Sequence, residues 1–137
     1  MNIEKHIEHT ALKPETTLAD IEEFCAEAKA YEFTMVCVPP LFVKKAKELT
    51  ASSAKVATVA GFPLGYNAIE AKVAEIVLAV IDGADEVEMV INTSAVKNKD
   101  WQYLANEINT VLPIIRGKGK KITVILETAL MTDEEII

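Results

Sequence analysis

Lys55-Val56-Ala57-Thr58-Val59-Ala60, then Ile69 to Val80, then Glu86-Val87-Glu88-Met89-Val90-Ile91-Asn92: on this strand, helix, strand succession the fold turns. The two outer runs are short and rich in β-branched residues. The middle one places Ile69, Val73, Ile76, Val77 and Val80 on one helical face. Elsewhere in the chain Thr34-Met35-Val36-Cys37-Val38 and Ile122-Thr123-Val124-Ile125-Leu126 are near-continuous apolar runs, as expected when helices cover one face of a parallel sheet and packed side chains the other. Gly83 closes the helix before the second strand, and Gly61-Phe62-Pro63-Leu64-Gly65 makes a sharply bent loop after the first.

The same rhythm extends in both directions. Further strands are predicted over Ile7–Leu12, Thr34–Val38 and Ile122–Thr128, with those above over Lys55–Ala60 and Glu86–Asn92. Between them lie a first helix with Leu18, Ile21, Cys25 and Ala28 on one face, and a shorter, weaker second from Leu41 to Leu49. The fourth presents Leu104, Ile108, Val111, Leu112 and Ile115. About five parallel strands with right-handed helical crossovers leave two simple closures, an open doubly wound sheet or part of a (β/α)8 barrel. Gly117-Lys118-Gly119 is a helix-ending turn, not a linker, so residues 1–137 form a single domain. Thr132-Asp133-Glu134-Glu135 starts a fifth helix with a capping box two residues before Ile137. The expectation is therefore the first part of a larger barrel, truncated at the start of that helix.

Half of the 137 residues are hydrophobic and 26% are charged, which suits a globular chain, and the net charge of −7 disfavours nucleic acid and anionic membrane as partners. The clusters Lys44, Lys45, Lys47 and Lys118, Lys120, Lys121 read as solvated faces. Cys25 and Cys37 have neither metal-ligand spacing nor the pattern of a disulfide framework; with no leader or membrane-length apolar run, a cytoplasmic location is expected. No G-x-G-x-x-G or Walker-type loop follows the first strand, so a nucleotide cradle is not expected.

In parallel βα folds the reacting groups sit at the C-terminal ends of strands and in the loops that follow. Those positions hold Glu8, His9, Thr10 and Lys13; Cys37, Pro39 and Pro40; residues 61–65; Glu88, Asn92, Thr93 and Ser94; and Glu127 and Thr128. Glu88 stands out, because a carboxylate among apolar neighbours on a covered strand has its charged form disfavoured unless a cation or donor meets it. It is either a site residue or an interior Glu held by a Lys or Arg. Glu127 reads as a site residue or an anchor behind one, His9 as a hydrogen-bonded structural residue, and Cys37 as inert packing. Phe62 offers an apolar wall at the rim. No His pair with a carboxylate has metal spacing and no Ser-His-Asp grouping is evident, so no metal site is expected.

Taken together, Ile7-Glu8-His9-Thr10-Ala11-Leu12-Lys13-Pro14, Val36-Cys37-Val38-Pro39-Pro40, Val59 to Gly65, Glu86 to Asn92 and Ile125 to Glu135 resemble the deoxyribose-phosphate aldolase family in order and spacing. The resemblance implies a cofactor-free class I aldolase of deoxyribonucleotide catabolism on a (β/α)8 TIM barrel. A lysine Schiff base would serve reversible cleavage of 2-deoxyribose 5-phosphate to acetaldehyde and glyceraldehyde 3-phosphate. By resemblance Glu88 takes the position of the relay acid, and Glu8, Thr10, Leu12, Cys37, Phe62 and Glu127 bind substrate.

The departures are specific. The family's Schiff-base lysine lies on a sixth strand and its activating lysine on a seventh, and neither motif is present; Glu8 and Glu88 stand where the family has aspartates, and Pro39 where it has an asparagine. Lys13 and Lys97 reach the active rim but read as solvated, and Lys121 precedes its strand on the other rim. Little or no aldolase activity is expected of these residues alone. A phosphorylated sugar or aldehyde is the expected ligand, if any. A homo-oligomer or a complementary barrel half is the expected partner, with a non-catalytic assembly module or an open-sheet small-molecule binder as competing readings.

Overall fold

A computed structural model describes residues 2–137. Five parallel strands, β1 (Glu8–Thr10), β2 (Met35–Val38), β3 (Lys55–Ala60), β4 (Glu86–Val90) and β5 (Lys121–Ile125), lie side by side in chain order. The order never reverses, so there is no switch point of the doubly wound kind, and the sheet is an arc of a (β/α)8 barrel. Helices α1 (Leu18–Ala30), α2 (Val43–Thr50), α3 (Ile69–Ile81), α4 (Thr93–Lys97), α5 (Trp101–Arg116) and α6 (Asp133–Ile136) follow the strands.

The strand over residues 55–60 matches its expected limits. The fifth begins one residue earlier than expected and ends at Ile125, not Thr128, because the Ile125 carbonyl closes the ladder by accepting from Ile91 N–H at 3.0 Å. The chain then turns through a left-handed Glu127 (φ 54°). Helix α4 was not expected. Asn92, expected to end β4, caps it by accepting from the Ala95 N–H at 3.1 Å. The predicted capping box of the last helix is present, Thr132 with Glu135. Leu18 was placed on the buried face of the first helix but is 46% exposed. Among the described residues no helix is long and apolar enough to cross a membrane.

Alternation divides the sheet. Val36, Val38, Val56, Ala60, Val87 and Met89 point outward into a core shared with Ile21, Ile76, Val111 and Ile115 of the helices. Cys37, Ala57 and Val59 point the other way, into a smaller cluster with Leu12 and Met35. The lysines read as solvated faces are partly structural. Asp85, just before β4, accepts from Lys47 Nζ at 2.8 Å, Lys120 Nζ at 3.3 Å and the Val56 N–H at 3.0 Å, tying α2, β3 and the turn before β5 together.

Two charges lie fully inside the helical layer. Lys72 of α3 donates to Glu107 Oε1 of α5 at 2.6 Å and to the Val90 carbonyl at 2.8 Å, and Glu107 Oε2 accepts from the Asn92 N–H at 3.3 Å. Both side chains are 0% exposed. Removing one member leaves a buried charge with no counter-ion, whereas removing both leaves an apolar contact. We therefore expect Lys72→Met to cost about 3–5 kcal/mol in denaturant unfolding, and the double substitution Lys72→Met with Glu107→Leu to cost much less.

Candidate active site

On the inner face, parallel register sets Thr10 beside Cys37, Cys37 beside Ala57, Ala57 beside Glu86, and Val59 beside Glu88. Acidic groups from β1 and β4 thus meet across the arc. One ligating atom each from Glu8, Cys37 and Glu88 lies within 4.8 Å of the others. Cys37 Sγ approaches Glu88 Oε2 at 3.9 Å, and Glu8 Oε1 is buried without a hydrogen-bond partner.

Glu88 is pushed up from the ordinary 4.5 to about 7. Removal from water is the largest cause, followed by a hydrogen bond to Glu8 and the negative charges of Glu8 and Glu86; Lys121 pulls the other way without prevailing. The alternative of an interior Glu held by a cation is met by its neighbour instead. Glu86 accepts from Lys121 Nζ at 2.9 and 3.1 Å and from the Thr123 hydroxyl. Lys121 sits at the start of β5, on the rim opposite the expected site, yet its ammonium reaches the inner face. Cys37 fits its reading as inert. Burial, then the charges of Glu88 and Glu8, push its thiol far above the ordinary value, so the reactive thiolate is not formed near neutral pH.

At the C-terminal rim, Leu12, Lys13, Pro39, Pro40, Val59 and Phe62 line a cavity of about 260 Å³. Leu12 and Phe62 are thereby brought together with Val59, the register partner of Glu88 on the next strand. The loop bearing Phe62 is held from behind: Glu75 of α3 accepts from the Gly61 N–H at 2.6 Å, and the Gly65 N–H closes the loop on the Gly61 carbonyl at 2.7 Å. Gly65 has φ +72°, and a Cβ there would stand 2.1 Å from the Ile91 carbonyl, so no side chain fits while this loop rests on the end of β4.

Two of the expected substrate contacts lie apart. Thr10 is exposed at the end of β1 and faces a second cavity of about 300 Å³ with Asp20 and Phe24. Glu127 is exposed beyond the end of β5. His9 points to the helical side, stacked on Phe24 with ring centroids 4.2 Å apart and its Nε2 2.7 Å from Glu27, consistent with its structural reading. Lys13 is exposed at the rim, and Lys97 pairs with Glu135 at 2.5 Å. Sequence reasoning missed Lys72 and Glu107. Their signal was present: Lys72 lies three residues after Ile69 and four before Ile76, Glu107 three after Leu104 and four before Val111, each a charge inside an apolar stripe.

The structure thus sets a partly apolar cavity at the C-terminal rim and, on the inner face of the sheet, a carboxyl poised to exchange its proton near neutrality. Residues 3–136 match the family model described as DeoC/LacD family aldolase. The chain belongs to this family. It is 50% identical over 137 residues to the deoxyribose-phosphate aldolase of Thermoanaerobacter pseudethanolicus, covering 98% of this chain and 61% of the relative. To that of Thermococcus gammatolerans it is 47% identical, covering 100% and 62%. Among solved structures, a protein described as "QR15, an Aldolase" superposes with a TM-score of 0.89 at 38% identity, over 98% of this chain and 59% of the other. The Aeropyrum pernix deoxyribose phosphate aldolase, described as having a unique tetrameric structure, gives 0.88 at 26% identity, over 98% and 56%. The chain thus spans about three fifths of the curated relatives it matches.

A carboxyl raised to about 7 binds its proton more tightly in the folded than in the unfolded chain. Its contribution to stability is complete below pH 4.5 and is lost as pH rises through 7. Thermal melts across pH should show Glu88→Gln, which cannot ionise, matching the wild type in acid and exceeding it above pH 7. Identical pH profiles for the two would remove the desolvated acid from the site.

Proposed function

We propose that the chain forms the acid-bearing portion of an aldolase that cleaves and forms 2-deoxyribose 5-phosphate. The observation that carries it is the Glu8, Cys37 and Glu88 cluster, with Glu88 titrating near 7 beside a rim cavity, in a member of this aldolase family. In such a reaction a lysine amine condenses with the substrate aldehyde, and the bond between C2 and C3 breaks as the C3 hydroxyl loses its proton. An acid poised near neutral pH can pass that proton and return it to the carbon that becomes the acetaldehyde methyl. Glu88 is assigned this exchange, with Glu8 as the carboxyl beside it. Leu12, Phe62 and Val59 would enclose the two-carbon fragment, and the Cys37 thiol would pack beneath it. Thr10 and Glu127 would join the site only if the ends of β1 and β5 were brought inward. The expected cytoplasmic setting belongs to the same proposal and is supported by two free, buried cysteines.

The amine is the component these residues do not supply in a suitable form. A Schiff-base lysine has to lose its proton, which requires desolvation or a neighbouring cation. Lys13 is exposed, Lys97 is tied to Glu135, and Lys72 is locked to Glu107 behind the sheet. We propose that the amine comes from strands that would continue the arc beyond β5, either on the same polypeptide or on a complementary one. The non-catalytic module is the second reading, favoured by the same lack of a suitable lysine.

Two measurements test this. Incubating the chain with 2-deoxyribose 5-phosphate and borohydride should give no lysine adduct by mass spectrometry, and an adduct on Lys13 or Lys97 would assign the amine to this chain after all. Adding a polypeptide that carries the remaining strands of a curated relative should restore cleavage, and Glu88→Gln should reduce the restored rate by about 100-fold or more. If cleavage returns but is insensitive to Glu88→Gln, the relay assignment fails; if none returns, the module is the better description.

A further inference from the structure

We propose that Glu75 is a positioning residue of the rim cavity: from the flank of α3 it holds, through the Gly61 amide, the loop that places Phe62, and so fixes the wall that limits the length of aldehyde admitted. The nature of that ligand rests on the aldolase reading; the hold on the loop does not. Glu75 stands three residues after the buried Lys72 and one before the buried Ile76, on a side of α3 that reaches the exit of β3. It is half-buried, and among the described residues it is the one carboxylate lining the cavity. A carboxylate drawn out of water is costly unless a donor meets it, and here the Gly61 N–H lies 2.6 Å from Oε2. Gly61 needs the bond as much. Strand β3 ends at Ala60, so the next amide has left the ladder, at φ +63°, and requires another acceptor.

The other supports of the loop secure its two ends and not the ring between them. The Gly61 carbonyl accepts from the Gly65 N–H at 2.7 Å, Gly65 rests on the Ile91 carbonyl, and the stem of Lys72 lies against Gly61. Phe62 and Leu64 are 42% and 53% exposed. A ring with so little burial is not located by core packing; its place follows from the backbone that carries it. Among the described residues Glu75 is the one side chain that hydrogen-bonds to residues 61–65. Phe62 shares the cavity with Val59, which is fixed inside β3, so a shift at Gly61 moves one wall and leaves the other. A wall displaced in this way changes the discrimination between substrates that differ by a methylene. Gln can take over the acceptor role because its amide keeps one carbonyl oxygen, whereas Leu fills similar space with no acceptor.

In the chain alone, amide hydrogen exchange followed by NMR should show Gly61 protected in the wild type and in Glu75→Gln, and exchanging about tenfold or more faster in Glu75→Leu. The Phe62 ring resonances should move in Glu75→Leu and stay in Glu75→Gln. In the enzyme restored by the complementary polypeptide, acetaldehyde and propanal are offered as competing donors to glyceraldehyde 3-phosphate. Glu75→Leu should erode the kcat/KM preference for acetaldehyde about tenfold, and Glu75→Gln should keep it. Phe62→Ala should erode it as far, and combining it with Glu75→Leu should add nothing, because both act on one wall. Glu75→Ala serves as the second truncation if Glu75→Leu disturbs α3. Equal Gly61 exchange in all variants, a preference untouched by Glu75→Leu, or additive effects of Glu75→Leu and Phe62→Ala would each overturn the proposal. If no cleavage is restored, the aldolase reading fails, and the Gly61 exchange and Phe62 resonances decide the hold on the loop by themselves.

Discussion

One ammonium group holds the working end of the sheet. Lys72 Nζ donates both to the carbonyl of Val90, the last residue of β4, and to Glu107, whose second oxygen takes the Asn92 amide that follows. Three elements, α3, α5 and the exit of β4, are therefore fixed to a common point in a fully dehydrated setting, where geometry is enforced by the cost of leaving any of these groups unpaired. Gly61 lies against the same side chain, since a Cβ there would meet Lys72 Cε at 2.7 Å. The loop that carries Phe62 and the strand that carries Glu88 are thus positioned from the same source.

That rigidity suits the chemistry on the other face. Glu88 is kept from water beside a second carboxyl with no lysine against it, while Glu86, two residues earlier, takes the Lys121 cation and the Thr123 hydroxyl. Two carboxyls on one strand face meet different neighbours, one a cation and a hydroxyl and the other a second carboxyl that leaves it poised to exchange a proton near neutrality. The exchange demands that the surroundings not relax around the charge as it forms.

Much of the fold was legible in the residues. Near-continuous apolar runs rich in β-branched residues, with a period of 3.6 between them, pointed to five parallel strands and their covering helices, because burial on both faces leaves that imprint on composition. Glu88 could be singled out as a carboxylate on a covered strand, and Leu12 and Phe62 as neighbours of the rim. Helix α4 escaped because five residues are too few to show a period, and it depends on the Asn92 cap. The limits of β5 and the outlying positions of Glu127 and Thr10 escaped because strand ends are set by which carbonyl finds a partner on the next strand.

Local periodicity and turn chemistry, which act between residues close in the chain, are therefore written into the sequence alone: the parallel strand and helix order, the bent loop at residues 61–65, and the apolar stripes of the helices. Tertiary structure alone decided which charges meet, pairing Lys72 with Glu107 at a separation of 35 residues, Lys121 with Glu86, and Glu8 with Glu88. The physical reason is range. A side chain's rotamer and face follow from its near neighbours, but its protonation state and its partner follow from the three-dimensional field of groups that the chain brings together only when the sheet closes its register.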